Sequence, residues 1–273
     1  MDLNMRLNVY PSPIQRLIKT FILGSVALLC ALGTAQASDN EAEGNKIDCD
    51  NISCDTALTP YTLSYAATYN GMDISAERQL KLEGKRYVLT TTAKNLFSSI
   101  EEESVFLLDE QRGIVDQNYQ YKRNVLGIKK TEKLRYDREA GVANYKTKKK
   151  KRQVTLENGY LNRLSYQVQL QRDLLNQVSP LQYQVISRGR LKQYNFETQG
   201  EETLDTPLGK IKTLKVKRIR EDDERETLFW FAPEWNYLLV QLWQREEGGE
   251  DYKIIIREGS LDRKPLTLPK EKS

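Results

Sequence analysis

The chain has no histidine. Ser-His-Asp and Cys-His catalysis are therefore closed to it, as is every metal site ligated through imidazole. Cysteine is almost as scarce, with three in 273 residues: Cys30, Cys49 and Cys54. Two cysteines with four residues between them, and no histidine, cannot fill a tetrahedral zinc site without distant carboxylates. The patterns G-x-x-x-x-G-K-[ST], G-x-G-x-x-G and G-x-S-x-G are absent as well. No metal and no cofactor is implied. An excess of charge of one sign is also lacking, since the net charge is only +4. A chain so nearly neutral has no global basic field of the kind that binds nucleic acid.

The longest apolar run, 21–32, is too short to span a bilayer. It follows Arg6, Arg16 and Lys19 and precedes Ala35-Gln36-Ala37, the order of basic, apolar and small residues found in a cleaved signal peptide. Residues 1–37 are read as that signal, with a mature chain starting at Ser38 in the periplasm and not integral to the membrane. An uncleaved anchor is the competing reading. Lipidation at Cys30 is a third, and Ala27-Leu28-Leu29 fits it poorly. Removing the signal leaves a formal charge of about +2, because Arg6, Arg16 and Lys19 leave with Asp2. It also leaves Cys49 and Cys54 as a close pair. In an exported chain such a pair reads as a disulfide, closing a short loop and contributing roughly 2 kcal/mol. Residues 38–57 are polar and acidic and read as a flexible leader carrying that loop.

From Pro60 onward period-two alternation dominates. Tyr61, Leu63, Tyr65, Ala67 and Tyr69 alternate with Thr62, Ser64, Ala66 and Thr68, and Asn70-Gly71 is a strong hairpin signal. Further strands are predicted around Ile74 to Leu82, Tyr87 to Ala93, 104–108, 118–123, 129–136 and 142–145. A short helical or loop excursion is expected over 96–103. Residues 161–178 read as the one helix, with Leu161, Leu164, Val168, Leu175 and Val178 in a stripe. A hairpin follows around Arg188-Gly189. Then 203–245 makes a meander holding Trp230, Trp235 and Trp243. The spacing predicts one mainly β domain over 58–259, an antiparallel meander curled into a half-open barrel with one amphipathic helix across it. Residues 260–273 read as a frayed tail.

Three groups are candidates for function. The run 146–152, KTKKKKR, places Lys148, Lys149, Lys150, Lys151 and Arg152 together. It is read as a solvated hairpin edge that blocks strand addition, or as a site for phosphate, lipopolysaccharide or acidic glycan. Trp230 sits in the densest apolar run and is expected in the core, whereas Trp235, Tyr237 and Trp243 are candidates to line a pocket for an apolar ligand. Asp222-Asp223-Glu224 and Glu101-Glu102-Glu103 are carboxylate clusters, read as solvated turns rather than acid/base pairs.

Thr206-Pro207-Leu208-Gly209, Lys215-Val216-Lys217-Arg218, Arg225-Glu226-Thr227, Trp230-Phe231-Ala232-Pro233 and Asn236-Tyr237-Leu238 resemble the C-terminal signature of an exported bacterial family, domain of unknown function 3108. Pro60-Tyr61, Tyr119-Gln120-Tyr121 and Leu164-Ser165-Tyr166-Gln167 are similar as well, so the likeness runs from Pro60 to Arg257. The resemblance implies a periplasmic curled sheet, comparable in outline to half-open barrels that carry lipid or lipoprotein, and supplies no catalytic residues. The function expected is non-enzymatic binding or scaffolding in the cell envelope, with lipid, glycan or protein as partner. Two alternatives stand beside it: an envelope hydrolase or transferase using carboxylates or a serine-lysine pair, and an anion binder acting through the lysine run.

Overall fold

In the computed structural model, the described residues are 58–69, 72–220, 225–246 and 251–268, all within the compact unit Cys54–Ser273. The predicted signal segment, the leader with Cys49 and Cys54, the Asn70-Gly71 turn and the Asp222-Asp223-Glu224 tip lie outside them.

The first half is a run of hairpins: β1 (Tyr61–Tyr69), β2 (Met72–Glu83), β3 (Arg86–Lys94), β4 (Ser98–Asp109), β5 (Gly113–Val125), β6 (Ile128–Asp137), β7 (Val142–Thr147) and β8 (Lys151–Thr155). A two-residue strand β9 (Leu161–Asn162) and the helix α1 (Ser165–Leu175) follow. The second half is β10 (Leu181–Ser187), β11 (Arg190–Thr206), β12 (Gly209–Ile219), β13 (Arg225–Ala232), β14 (Leu238–Glu246), β15 (Asp251–Leu261) and β16 (Lys264–Pro265). All join one open sheet in the order β8-β7-β6-β5-β4-β3-β2-β1-β15-β14-β13-β12-β11-β10-β9, with β16 beside β15. The two halves are thus zipped by β1 against β15 in mid-sheet, and the ends are β8 and β9.

Alternation decides which face is concave. Tyr61, Leu63, Tyr65 and Ala67 of β1 are buried and stand opposite Leu80, Arg78, Ala76 and Ile74 of β2. The same rows continue into Leu89, Ser104, Tyr119 and Leu134. On the other side Phe229, Leu242 and Ile254 complete the inner layer. The sheet curls until its ends approach: Arg152 Nη1 of β8 donates to the carbonyl of Arg188 at 3.3 Å, in the β10–β11 turn. Among the described residues no ladder closes this seam; side chains do.

Gly189 shows how tight the seam is. Its φ is +70°, and a Cβ there would stand 2.8 Å from the Tyr145 ring of β7. Gly84 has a similar φ of +63° with open space around it. Gly189→Ala is expected to cost roughly 2–3 kcal/mol and Gly84→Ala only about 1 kcal/mol, the difference being overpacking at the seam. Urea unfolding of both variants tests this; equal losses would mean that Tyr145 does not brace the β10–β11 turn.

Three expectations change. Residues 98–103, expected in an excursion, form the first half of β4. The helix spans 11 residues, because Leu161 and Asn162 pair in parallel with Val185 and Ile186 instead. Its buried apolar face is Tyr166, Val168, Leu170 and Leu174, whereas Leu175 and Val178 are exposed. Residues 264–268, expected to fray, are tied down: Lys264 and Pro265 pair with β15, Leu266 is buried, and the Trp235 indole donates to the Thr267 carbonyl at 3.3 Å.

Candidate functional site

The inner face is not uniformly apolar. Toward the end where the β3–β4, β5–β6 and β7–β8 hairpins turn, two inward rows carry charge. One runs Thr91, Glu102, Tyr121, Glu132, and the next Ala93, Ile100, Arg123, Lys130. Arg163, between β9 and α1, enters from the side. Its guanidinium lies 3.6 Å from Glu102 and 4.0 Å from Glu132, over the Tyr121 ring. Glu132 is held by Lys130 at 2.6 Å and by the Tyr145 hydroxyl at 2.9 Å; Tyr119 donates to Glu102 at 3.0 Å.

The opposite wall is cationic. Arg218 stacks on Tyr194 with its guanidinium 3.4 Å from the ring centroid. Arg220 donates to the Arg225 carbonyl and to the Thr227 hydroxyl. Burial, with Arg218 and Arg225 nearby, pushes the Arg220 guanidinium down to about 10. Burial works against ionising Tyr194, yet Arg218 and Arg163 outweigh it and hold the phenol below its ordinary value. Tyr194 thus feels both walls. Among the described residues, Arg123, Lys130, Arg163, Arg218 and Arg220 face two carboxylates, Glu102 and Glu132. Arg123 is only 7% exposed, and its Nε has no hydrogen-bond partner among the described residues. A buried donor in that condition carries an unmet desolvation cost.

Below this mouth the concavity is filled. A cavity of about 10 Å³ remains between α1 and the sheet, near Arg78, Gln167 and Phe229, which is room for about one water. Deeper still, Asp116 is completely buried. It accepts from Ser165 Oγ at 2.6 Å and from the Asn162 N–H at 2.7 Å. Asn162 Oδ1 in turn accepts from the Leu164 and Ser165 N–H groups, so this network starts the helix where no side chain at Leu164 caps it. Ser165 and Asp116 have no exposed surface through which a substrate would reach them. A cleft of about 470 Å³ opens at the far end, lined by Arg112, Arg138, Leu156 and Glu157.

The residues singled out from sequence are scattered. Trp230 is buried, its indole donating to Glu202 at 3.0 Å. Trp235 is buried under the C-terminal segment, Tyr237 packs half-buried on the core, and half-buried Trp243 lies beneath Arg245. None of the three lines either cavity just described. Lys148, Lys149, Lys150 and Lys151 are exposed around the turn into β8, an end strand, while Arg152 leans on Arg188. Among the carboxylates, Glu102 turns inward, contrary to the solvated turn expected of it. Of the mouth residues the sequence singles out only Glu102; Glu132, a charge in phase with Leu134 and Tyr136, and Arg123, in phase with Tyr119 and Tyr121, left a trace. No group of three or more metal-ligating side chains occurs among the described residues.

A single open sheet curled around one helix, with side chains closing its seam, defines a barrel-like β protein. The chain belongs to the family described as "Protein of unknown function (DUF3108)", which matches residues 62–256. No curated protein matches it. Among solved structures it is similar to the beta-barrel-like protein of domain of unknown function DUF1849 from Brucella abortus. That likeness has a TM-score of 0.51 at 10% identity and covers 76% of this chain and 99% of the other. A candidate lipoprotein of Parabacteroides distasonis aligns at TM-score 0.30 and 11% identity, over 74% and 96% of the two chains. A candidate exported protein of Bacteroides fragilis with a YmcC-like fold aligns at 0.29 and 10%, over 73% and 95%. The first of these likenesses speaks to fold alone.

Proposed function

We propose that this chain is a non-enzymatic binding protein of the bacterial envelope, and that its concave mouth receives the anionic end of an amphipathic molecule. The observation that carries the reading is the imbalance in the mouth: five cationic side chains around two carboxylates that already have partners. Guanidinium groups flanked by phenol rings hold carboxylate or phosphate through paired N–H donors, and a desolvated wall strengthens the contact. With the space behind the mouth occupied by α1, an apolar tail would leave along the rim or displace the helix. Residues 1–37 favour a periplasmic location; an N-terminus at Ser38 in the purified protein, read by mass spectrometry, is the expected result.

The reading is tested by thermal unfolding with dodecyl phosphate and with dodecyl maltoside, each below its micelle-forming concentration. Near saturation the anionic probe is expected to raise the midpoint by roughly 5–10 °C. The neutral probe should do little, and Arg218→Gln with Arg220→Gln should abolish the shift. Equal shifts with both probes, or an undiminished shift in the variant, would end this assignment.

A further inference from the structure

Four of the largest exposed apolar side chains of the described chain sit on two neighbouring hairpin tips. Leu96 and Phe97, in the β3–β4 turn, are 87% and 59% exposed; Leu126 and Ile128, at the β5–β6 turn, are 52% and 60% exposed. The tips touch, since the Leu126 N–H donates to the Phe97 carbonyl at 3.0 Å. Neither is loosely built. Asn95 Oδ1 accepts from the Phe97 and Ser98 N–H groups at 2.9 and 2.8 Å, pinning the first turn so that Leu96 points away from the protein.

The second tip is a two-residue turn in which Leu126 and Gly127 have φ of +49° and +82°. Asparagine fills the first position of such a turn at lower cost; leucine there is strained. A strained leucine, held outward in water, is paired with three more apolar side chains that no part of the described fold covers.

The surroundings say what covers them. Lys94, Lys129 and Lys130 flank the tips, and no acidic residue occurs in 94–100 or 124–131. The β7–β8 turn with exposed Lys148, Lys149 and Lys150 points the same way, one hairpin over. It is set back along β6 by the distance from Ile128 to Glu132, the residue facing Thr147, or about 13 Å. No acidic residue lies between 141 and 156 either. Convex apolar tips flanked by lysine do not offer the broad complementary area that a stable protein interface buries, on the order of 1,000 Å² or more. They suit a fluid surface that is apolar inside and anionic outside.

We infer that this rim is a membrane-docking surface: Leu96, Phe97, Leu126 and Ile128 enter the interface of an anionic bilayer, and Lys94, Lys129 and Lys148 to Lys150 hold its headgroups. The inference stands on the rim alone, whatever the mouth binds. Docked this way, the mouth opens toward the lipid, and Lys148 to Lys150 act at the membrane as well as at the sheet edge.

The test is sedimentation of the exported chain with vesicles containing roughly one-third phosphatidylglycerol, compared with vesicles of phosphatidylcholine alone. Binding is expected to anionic vesicles and to fall about tenfold or more on raising salt from about 0.1 to 1 M. Lys148→Gln, Lys149→Gln and Lys150→Gln together should weaken it about tenfold or more, and Leu96→Ser with Phe97→Ser should weaken it at any salt. Leu126→Asn provides a check on folding: it relieves the turn, so its unfolding midpoint should rise while vesicle binding falls. Phe97→Trp should add a blue-shifted emission quenched by brominated lipid. Arg218→Gln should leave vesicle binding intact, which separates this surface from the mouth. Equal binding to both vesicle types, full binding by the Ser or Gln variants, or an added emission in Phe97→Trp that answers to a second copy of the chain or an envelope protein but not to vesicles, each overturns the inference.

Discussion

Replacing Asp116 by asparagine is expected to change how stability depends on pH more than any other single substitution. Burial pushes the Asp116 carboxyl up to about 7, against the hydrogen bonds from Ser165, Asn162 and Ser104 and the charge of Arg138, which all favour the ionised form. The ordinary value is 3.8. A carboxyl raised in the folded state stabilises the fold fully below its unfolded value, and that contribution is lost as pH rises through the folded value. The wild type should therefore lose roughly 4 kcal/mol relative to Asp116→Asn between about pH 4 and pH 7. Asparagine retains an acceptor for Ser165 and the Asn162 N–H, so the variant folds. Asp116→Ala strands the buried Ser165 hydroxyl and leaves the Asn162 N–H only its 3.0 Å contact with Ser165 Oγ, which should cost roughly 2 kcal/mol or more at any pH. Urea unfolding across this range decides it: parallel curves for wild type and Asp116→Asn would refute the raised carboxyl. The bulge between Val105 and Phe106, where β4 pairs with β5, breaks the β5 register beside Asp116 and aims its carboxyl at the start of α1.

Removing Glu132 should cost as much, and with the opposite pH dependence. Burial alone would raise its carboxyl, but the contact with Lys130, the charges of Lys130 and Arg163, and the Tyr145 hydroxyl outweigh burial and hold it below the usual carboxylate range. Its contribution is present above the unfolded value and lost as pH falls through the folded one. Glu132→Ala takes the acceptor from Lys130 and the Tyr145 hydroxyl and leaves Arg163 only Glu102, around a residue that is 1% exposed, and a loss of roughly 3–5 kcal/mol is expected. Glu132→Gln keeps the shape and should lose less, with no further loss on acidification. If wild type and Glu132→Gln weaken equally toward acid pH, the carboxylate is not what ties β6 to Arg163. The two carboxylates act on opposite flanks of the pH axis, so stability should be greatest in the weakly acidic range.

How far the sequence could be read varies along the chain. In β1 every second residue is apolar, and the alternation leaves one register and one face; β3 keeps the phase at Tyr87, Leu89 and Ala93. At Ser98 and Ser99, and again at Glu101, Glu102 and Glu103, both faces are polar, so the start of β4 shows no period even though its backbone pairs with β3 throughout. Leu161 and Leu164 continue the spacing of a helix, but Leu161 is buried as a strand residue beside Val185, because a short apolar stretch suits either conformation. The mouth was the least visible part. Glu102, Glu132, Arg163 and Arg218 come from β4, β6, the β9–α1 junction and β12, and each reads alone as an ordinary surface charge.

Residue order by itself determined that this protein is a β meander with one helix and no histidine chemistry, because period-two burial and the absence of a side-chain type are local properties. Only tertiary structure decided that α1 fills the concavity, that five cations converge above it, and that the apolar and lysine tips share one rim. Those outcomes depend on how far the sheet curls and on strand stagger. Both follow from twist accumulated over many strands and from bulges that shift register, and neither quantity is encoded in any one segment.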